Sequence, residues 1–189
     1  SHARAIGEIK GSGVAYRPER EAQVLRRMQL LNTGPLSNEA VTLLFREVMS
    51  ACLALENPLS IAYLGPEGTF SQLATMKHFG HAAHTVACSS LDDAFRSVES
   101  RTLDYVVAPV ENSIEGAVGR TLDLMVTSSL KVCGEVILRI HHHLLRTQQS
   151  MENIRAVYAH AQALAQCHEW LNTHLPHVER IPMVSNCLL

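Results

Sequence analysis

The sequence predicts an open α/β sheet fold preceded by an all-helical segment, and three observations carry that prediction. From residue 59 onward, strand-length apolar runs alternate with helical runs, separated by short Gly, Pro and Asn punctuation. Before Asn57-Pro58, apolar residues recur only at helical spacing. The 189-residue chain is 47% hydrophobic and 18% charged, which supplies a real core and too little charge for a disordered chain. That length holds one ordinary domain or two small ones.

"SHARAIGEIK" reads as the end of a helix, followed by a Gly-Ser-Gly loop. "RPEREAQVLRRMQLL" places Pro18 in a first turn, with acids early and arginines late, the order a helix dipole prefers. "GPLSNEAVTLLFREVMSACLALE" breaks at Gly34-Pro35. Ser37 is then a good N-cap with Ala40 at N3, and Val41, Leu44, Phe45, Val48, Cys52 and Leu55 repeat at helical spacing. After Pro58, "LSIAYLG" predicts a strand, "TFSQLATMKHF" a helix, "HTVAC" a short strand and "LDDAFRSVES" a helix. "LDYVVAPV" predicts a strand, "GAVGRTLDLMV" a helix and "LKVCGEVILRIHHHLL" an extended stretch. "IRAVYA" (strand), "QALAQCHEWLNTH" (helix) and "VERIPMV" (strand) complete the order, with no internal repeats.

A formal net charge of −2 gives no electrostatic case for nucleic acid or an acidic membrane surface. No apolar run approaches the roughly 18 residues of a spanning helix, and the first residues lack a signal-peptide layout. The expectation is a soluble, cytoplasmic protein. Cys52, Cys88, Cys133, Cys167 and Cys187 show no CxxC spacing, which favours reduced thiols over a disulfide framework. Among eleven histidines, "RIHHHLL" invites a metal reading. In a strand, His141 and His143 share one face and His142 takes the other. No nearby Cys or carboxylate completes a ligand set, so a structural or substrate-facing role is favoured over a metal.

Two strand-to-helix junctions carry candidate chemistry. "GPEGTF" lacks both GxGxxG and the GK[ST] ending of phosphate loops. Gly65 and Gly68 permit a tight turn, and Thr69 or Ser71 can cap the next helix. Amides exposed at that helix start suit an anion, for which a carboxylate serves as well as a phosphate. The alternative is a turn that only joins strand to helix. In "VENSIEGAV", Asn112 and Ser113 follow a strand and Gly116 precedes a helix. Strand C-terminal ends face the ligand crevice in open α/β sheets. Asn and Ser offer neutral donors and acceptors there, and Glu111 or Glu115 could supply or take a proton. The alternative is a polar turn with two solvated acids.

"IAYLGPEGTFSQLATMKHFG", "DYVVAPVENSIEGAVGRTLDL" and "LKVCGEVILRIHHHLL" resemble the catalytic domain of prephenate dehydratase. "GEIK", "YRPEREAQVLRR" and "FREVMSACLALE" resemble the end of an all-helical chorismate mutase domain. Together they resemble the bifunctional chorismate mutase/prephenate dehydratase family of phenylalanine biosynthesis. The resemblance implies a mutase remnant over residues 1–56 and a two-lobed dehydratase domain over 57–189, with open sheets like those of periplasmic binding proteins and substrate in the cleft between lobes. Dehydration of prephenate expels a ring hydroxyl as water and a carboxylate as carbon dioxide. Aromatisation drives it, so the resemblance implies no redox or metal cofactor. Glu111, Asn112, Ser113, Glu115 and Gly116 then form the active-site turn. Asn112 and Ser113 bind substrate, Glu111 positions or polarises them, and Gln166 belongs to the site. Gly65, Pro66, Gly68 and Thr69 cradle a substrate carboxylate, and His160 also touches substrate.

For the mutase, the resemblance implies chorismate-binding roles for Lys10, Arg20, Glu21, Cys52 (where a serine is common) and Glu56. Two further arginines of that family fall before Ser1, and Arg4 is in register with neither. Each absent cation beside a dianion costs several kcal/mol, so the resemblance implies no mutase turnover and no swapped dimer from these residues alone. The family's "YSHPQALAQC" stands here as "YAHAQALAQC", with Ala159 for a serine and Ala161 for a proline. The family's Thr-Arg-Phe motif and its phenylalanine-binding ACT domain fall beyond Leu189, so feedback by phenylalanine and homodimer formation are implied for the full-length protein. A prephenate- or dicarboxylate-binding module without turnover, and a generic α/β anion-binding domain with a helical arm, are the other expectations.

Overall fold

The structure, a computed structural model, describes residues 16–113, 116–147 and 150–183. Two compact units divide the chain, Ser1–Leu138 and Arg139–Leu189.

The first unit opens with two helices, α1 (Pro18–Leu31) and α2 (Asn38–Glu56). Pro18 starts α1 without a side-chain cap, Glu19 and Glu21 fill its first turn, and its arginines end before its last turn. Ser37 Oγ accepts from the Ala40 amide, which caps α2 as its sequence predicts. The pair meets through buried Leu25 and Val41, a Gln29–Thr42 hydrogen bond of 2.8 Å and an Arg46–Glu21 ion pair of 3.3 Å. Most of the apolar stripe on α2 finds no cover: Leu44, Val48 and Leu55 are each more than half exposed.

A three-stranded parallel sheet follows, built from β1 (Ser60–Leu64), β2 (His84–Cys88) and β3 (Tyr105–Val107) in the order β2-β1-β3. Its central strand is buried on both faces, with Ile61, Ala62 and Tyr63 at 0–1% exposure. This is why "SIAYL" is a continuous apolar run rather than an alternation. Asp104 Oδ2 accepts from both the amide and the hydroxyl of Ser60, at 2.8 and 2.7 Å, and pins the start of β3 beside the start of β1. Helices α3 (Phe70–Phe79) and α4 (Leu91–Glu99) connect the strands. Thr69 caps α3 and Ser90 caps α4, and α4 lays Leu91, Ala94 and Phe95 on the sheet.

Helical arm and sheet share one core. Tyr16, Leu59, Ile61 and Phe79 pack together with Leu53, Tyr105 and Val107 against them. The rings of Tyr16, Phe79 and Tyr105 lie 5.4–5.5 Å apart, within the range of favourable aromatic contacts. Burial, and next the nearby Glu21, push the Tyr16 hydroxyl well above its ordinary range, and burial lowers His78. At the end of α3, Glu47 of α2 accepts from the His81 amide at 3.1 Å and meets its ring at 2.8 Å, while Arg46 donates to the Lys77 carbonyl.

Beyond β3 the structure departs from the sequence expectation. The strand stops at Val107, and Glu111–Asn112 (β4) pairs antiparallel with Gly116–Ala117 (β5). The next helix, α5 (Gly119–Thr127), therefore starts three residues later than its pattern suggests, because residues 116–117 are spent in the ribbon. Residues 129–146 form no strand. Without a neighbouring strand to complete a ladder, Val132, Ile137 and Leu145 stay exposed, and His141 to His143 follow no strand alternation.

In the second unit, β6 (Ala156–His160) and β7 (Glu179–Met183) pair in parallel. The expected single helix is two, α6 (Ala161–Gln166) and α7 (His168–His174), broken at Cys167 where ψ is 7°. Val157, Leu171 and Leu175 form its core, with Met151, Ile154, Leu164, Cys167 and Val178 packed around them.

The joint between α2 and α3 gives a sharp test. Gly80 has φ +79°, and a Cβ there lies 2.5 Å from Ser50 Cβ. Gly80→Ala is expected to lose roughly 2–4 kcal/mol, combining left-handed backbone strain with overpacking. Urea unfolding measures it as a lowered midpoint at unchanged slope. Adding Ser50→Gly is expected to return the overpacking part; no return removes this contact from the account.

Candidate active site

In a sheet ordered β2-β1-β3, the connection from β1 leads to one side while β3 lies on the other. The strand order thus reverses at β1, and ligand crevices open outside the C-terminal ends of strands at such a point. The turns that leave the ends of β1 and β3 hold the residues singled out in the sequence.

The first turn, Gly65 to Thr69, is tightly held. Gly65 donates to the Cys88 carbonyl at 2.9 Å. A Cβ on Gly65 falls 3.1 Å from that oxygen and 3.2 Å from Ala87 Cβ, so the backbone approaches β2 closely. The Gly65-Pro66 bond is cis and Gly68 has φ +81°. Thr69 Oγ1 donates to the Leu64 or Pro66 carbonyl, at 3.3 and 3.0 Å, and accepts from the Gln72 amide at 3.5 Å. The sequence leads to an expectation of exposed amides at this helix start, but Gln72 Oε1 accepts from the Gly68 amide at 2.7 Å. A glutamine in the first turn of a helix can fold back on a preceding amide in this way.

The second turn is a ribbon. Asn112 faces Gly116 across it and Glu111 faces Ala117. Successive residues of a strand point to opposite sides, so Glu111 and Asn112 do not share a face. Asn112 is half-buried, Glu111 and Ser113 are exposed, and Glu115 lies outside the described residues. Gly116 takes φ +80° with nothing within 4 Å of an added Cβ, so conformation rather than space asks for glycine there. The ribbon is anchored from behind. The Val118 amide donates to the Val110 carbonyl at 2.8 Å, and buried Thr121 on α5 donates to the Pro109 carbonyl at 2.6 Å. Arg120–Asp92 and Ser128–Glu99 tie the two ends of α5 to α4. Arg120 hydrogen bonding holds the Asp92 carboxyl below its ordinary range.

In the second unit, His160 ends β6 and caps α6, its Nδ1 accepting from the Gln162 amide at 3.2 Å. A neutral His160 therefore carries its proton on Nε2. Gln166 closes α6, and its Oε1 lies 2.7 Å from His142 Nε2. Of the mutase candidates, Lys10 lies outside the described residues, Arg20 is exposed on α1, and Glu21 is engaged by Arg46. Cys52 and Glu56 stand one turn apart on α2, hence on one face.

Several contacts within each unit that hold candidate residues had no signal in the pattern. Gln72, Thr121, Arg120 and His142 act through partners remote in sequence or through a folded-back side chain. Only the Thr121 position, on the inward side of an amphipathic run, hinted at burial. Among the described residues no cluster of three His, Cys, Asp or Glu is arranged for a metal, and no helix is long and apolar enough to cross a membrane.

Parallel strands ending in turns rich in amide, hydroxyl and carboxylate groups define an α/β domain built to bind or transform a small polar molecule. A family model for prephenate dehydratase matches residues 61–187, and one for chorismate mutase type II matches residues 1–57. The chain is 64% identical over 186 residues to a bifunctional chorismate mutase/prephenate dehydratase of Neisseria gonorrhoeae, covering 98% of this chain and 51% of that protein. Its identity to the protein of the same name from Pseudomonas aeruginosa is 53%, covering 97% and 52%. A crystal structure of prephenate dehydratase in complex with L-Phe from Arthrobacter aurescens superimposes with a TM-score of 0.56 at 31% identity, over 67% of this chain and 43% of that one. The chain belongs to the prephenate dehydratase family, with a chorismate mutase segment at its N-terminal side. It spans about half the length of the curated relatives it matches.

Thr121→Val keeps the shape of the side chain and removes its bond to the Pro109 carbonyl. Urea denaturation is expected to show a loss of about 1–3 kcal/mol. An unchanged midpoint means that the ribbon is held by other contacts.

Proposed function

We propose that this chain carries the site for decarboxylating dehydration of prephenate to phenylpyruvate. The observation that supports it most is the match of residues 61–187 to the dehydratase family, together with the fixed ribbon of Asn112 after β3. In this reaction the bond from the ring to its carboxylate breaks and releases carbon dioxide. Its electron pair becomes a ring double bond, and the ring hydroxyl leaves with one added proton as water. The protein has to hold two carboxylates, align the leaving groups on the ring and deliver that proton.

In this reading Asn112 and Ser113 hydrogen-bond the substrate, and Gly116 lets the ribbon turn back. The Gly65–Pro66 and Gly68–Thr69 backbone takes one substrate carboxylate once Gln72 swings off the Gly68 amide. His160 and the Gln166 amide are further contacts in this reading. Glu111 and Glu115 are the carboxyl groups of the turn from which a proton can come. Glu111, next to Asn112 in the ribbon, positions or polarises Asn112 and Ser113 in this reading.

Phenylpyruvate formation by the purified chain, with calorimetric titration of prephenate alongside, tests this reading. Asn112→Ala is expected to lower turnover by about 10²–10⁴-fold if the turn handles the reacting groups. Unchanged turnover refutes the assignment. Ala159, which has no hydroxyl where the family's pattern carries a serine, favours a second reading: prephenate is taken up without turnover. Binding that Asn112→Ala weakens, with no product from either protein, selects it.

For the helical arm we propose a part in conversion of chorismate to prephenate, with Arg20 beside a substrate carboxylate, Glu21 as its acidic pair, and Cys52 and Glu56 contributing from one face of α2. The match of residues 1–57 supports this. In the protein that carries this chain, Arg20→Ala is expected to reduce chorismate conversion at least about tenfold, the effect of a lost charged hydrogen bond. Unaltered conversion excludes Arg20.

A further inference from the structure

The histidine run His141-His142-His143 is used neither by the ribbon nor by the carboxylate turn. His142 Nε2 lies 2.7 Å from Oε1 of Gln166, the half-buried last residue of α6. An amide oxygen only accepts, so this contact places a proton on His142 Nε2. That proton is present in one neutral tautomer and in the imidazolium, so the bond survives a change of charge on the ring.

The consequence falls on the amide. The last torsion of a glutamine is broad and nearly two-fold, so a free amide turns either its NH2 or its oxygen toward a ligand at little energetic difference. These two faces are not equivalent to an anion. NH2 donates to a carboxylate or to a leaving hydroxyl, whereas the oxygen repels the carboxylate. A donor fixed on Oε1 selects the rotamer that leaves NH2 for substrate. His142 reaches Gln166 from a stretch that has no strand ladder, so placement of that stretch is coupled to the amide's orientation.

We propose that His142 is a positioning residue for prephenate: it locks the Gln166 amide with its NH2 group toward substrate. The proposal rests on the reading above that Gln166 contacts prephenate. It assigns His142 no proton transfer and no contact with the reacting atoms.

The test is a double-substitution cycle read by prephenate affinity in calorimetry and, where product forms, by kcat/KM across pH. His142→Ala is expected to weaken prephenate about two- to fourfold, since an unlocked amide is still correctly turned about half the time, whereas His142→Gln, whose amide can supply the same donor, restores most of that loss. In a Gln166→Ala background, His142→Ala is expected to leave affinity unchanged within the error of the titration. The pH profile of His142→Gln is expected to keep every limb of the parent, since a positioning donor leaves no titration of its own. Equal losses from His142→Ala in both backgrounds, failure of His142→Gln to rescue, or a missing pH limb overturns the proposal. If Gln166→Ala alone binds prephenate like the parent, the site assignment of Gln166 falls and the proposal with it. The Asn112→Ala result then shows separately whether the dehydratase reading survives.

Discussion

Burial of β1 on both faces is the constraint on which the first unit depends. Ile61, Ala62 and Tyr63 are enclosed by β2 and β3 at their edges, by helices on one side and by the aromatic cluster of Tyr16, Phe79 and Tyr105 on the other. Each large side chain buried this completely contributes about 1.5–3 kcal/mol. Register then follows: a slip of one residue would exchange Ile61 and Tyr63 for their neighbours on both faces at once. With β1 fixed, the exits of β1 and β3 are fixed as well, and these exits are the two candidate turns.

The same core joins the helical arm to the sheet. Leu53 and Tyr16 pack against β1 residues, and Gly80 brings the end of α3 against Ser50 more closely than a side chain allows. Helix α3 thus touches the arm at its C-terminal end and carries the Thr69 turn at its N-terminal end. Arm and sheet form one compact unit, although the sequence changes character at Asn57-Pro58.

The contacts that hold the candidate residues differ in kind within each unit. Backbone bonds from Gly65 and Val118 and the Thr121 hydroxyl fix the frame. By contrast, Gln72 and Gln166 meet their partners through single amide oxygens that a ligand or a substitution can reorganise. A single hydrogen bond of this kind contributes about 0.5–1.5 kcal/mol net. Both contacts are single bonds of this kind.

Local chemistry made much of this legible. Ser37 and Thr69 cap because a hydroxyl beside a helix start has one obvious partner, the amide three residues on. "HTVAC" and the apolar run of β1 read as strands because β-branched and apolar residues suit a buried sheet. The motifs "GPEGT" and "ENSIEG" stood out because polar and glycine residues are unusual at the mouth of a buried strand. What the sequence by itself determined was therefore the order of elements, most caps and the identity of the two turns. Tertiary structure decided the rest. It withheld a ladder partner from "LKVCGEVILRIHHHLL", spent Gly116 and Ala117 on a ribbon, and broke the last helical run at Cys167. It also paired His142 with Gln166 across 24 positions. Hydrogen-bond partners that lie far apart along the chain leave no period in it, and only the packed fold brings them within reach.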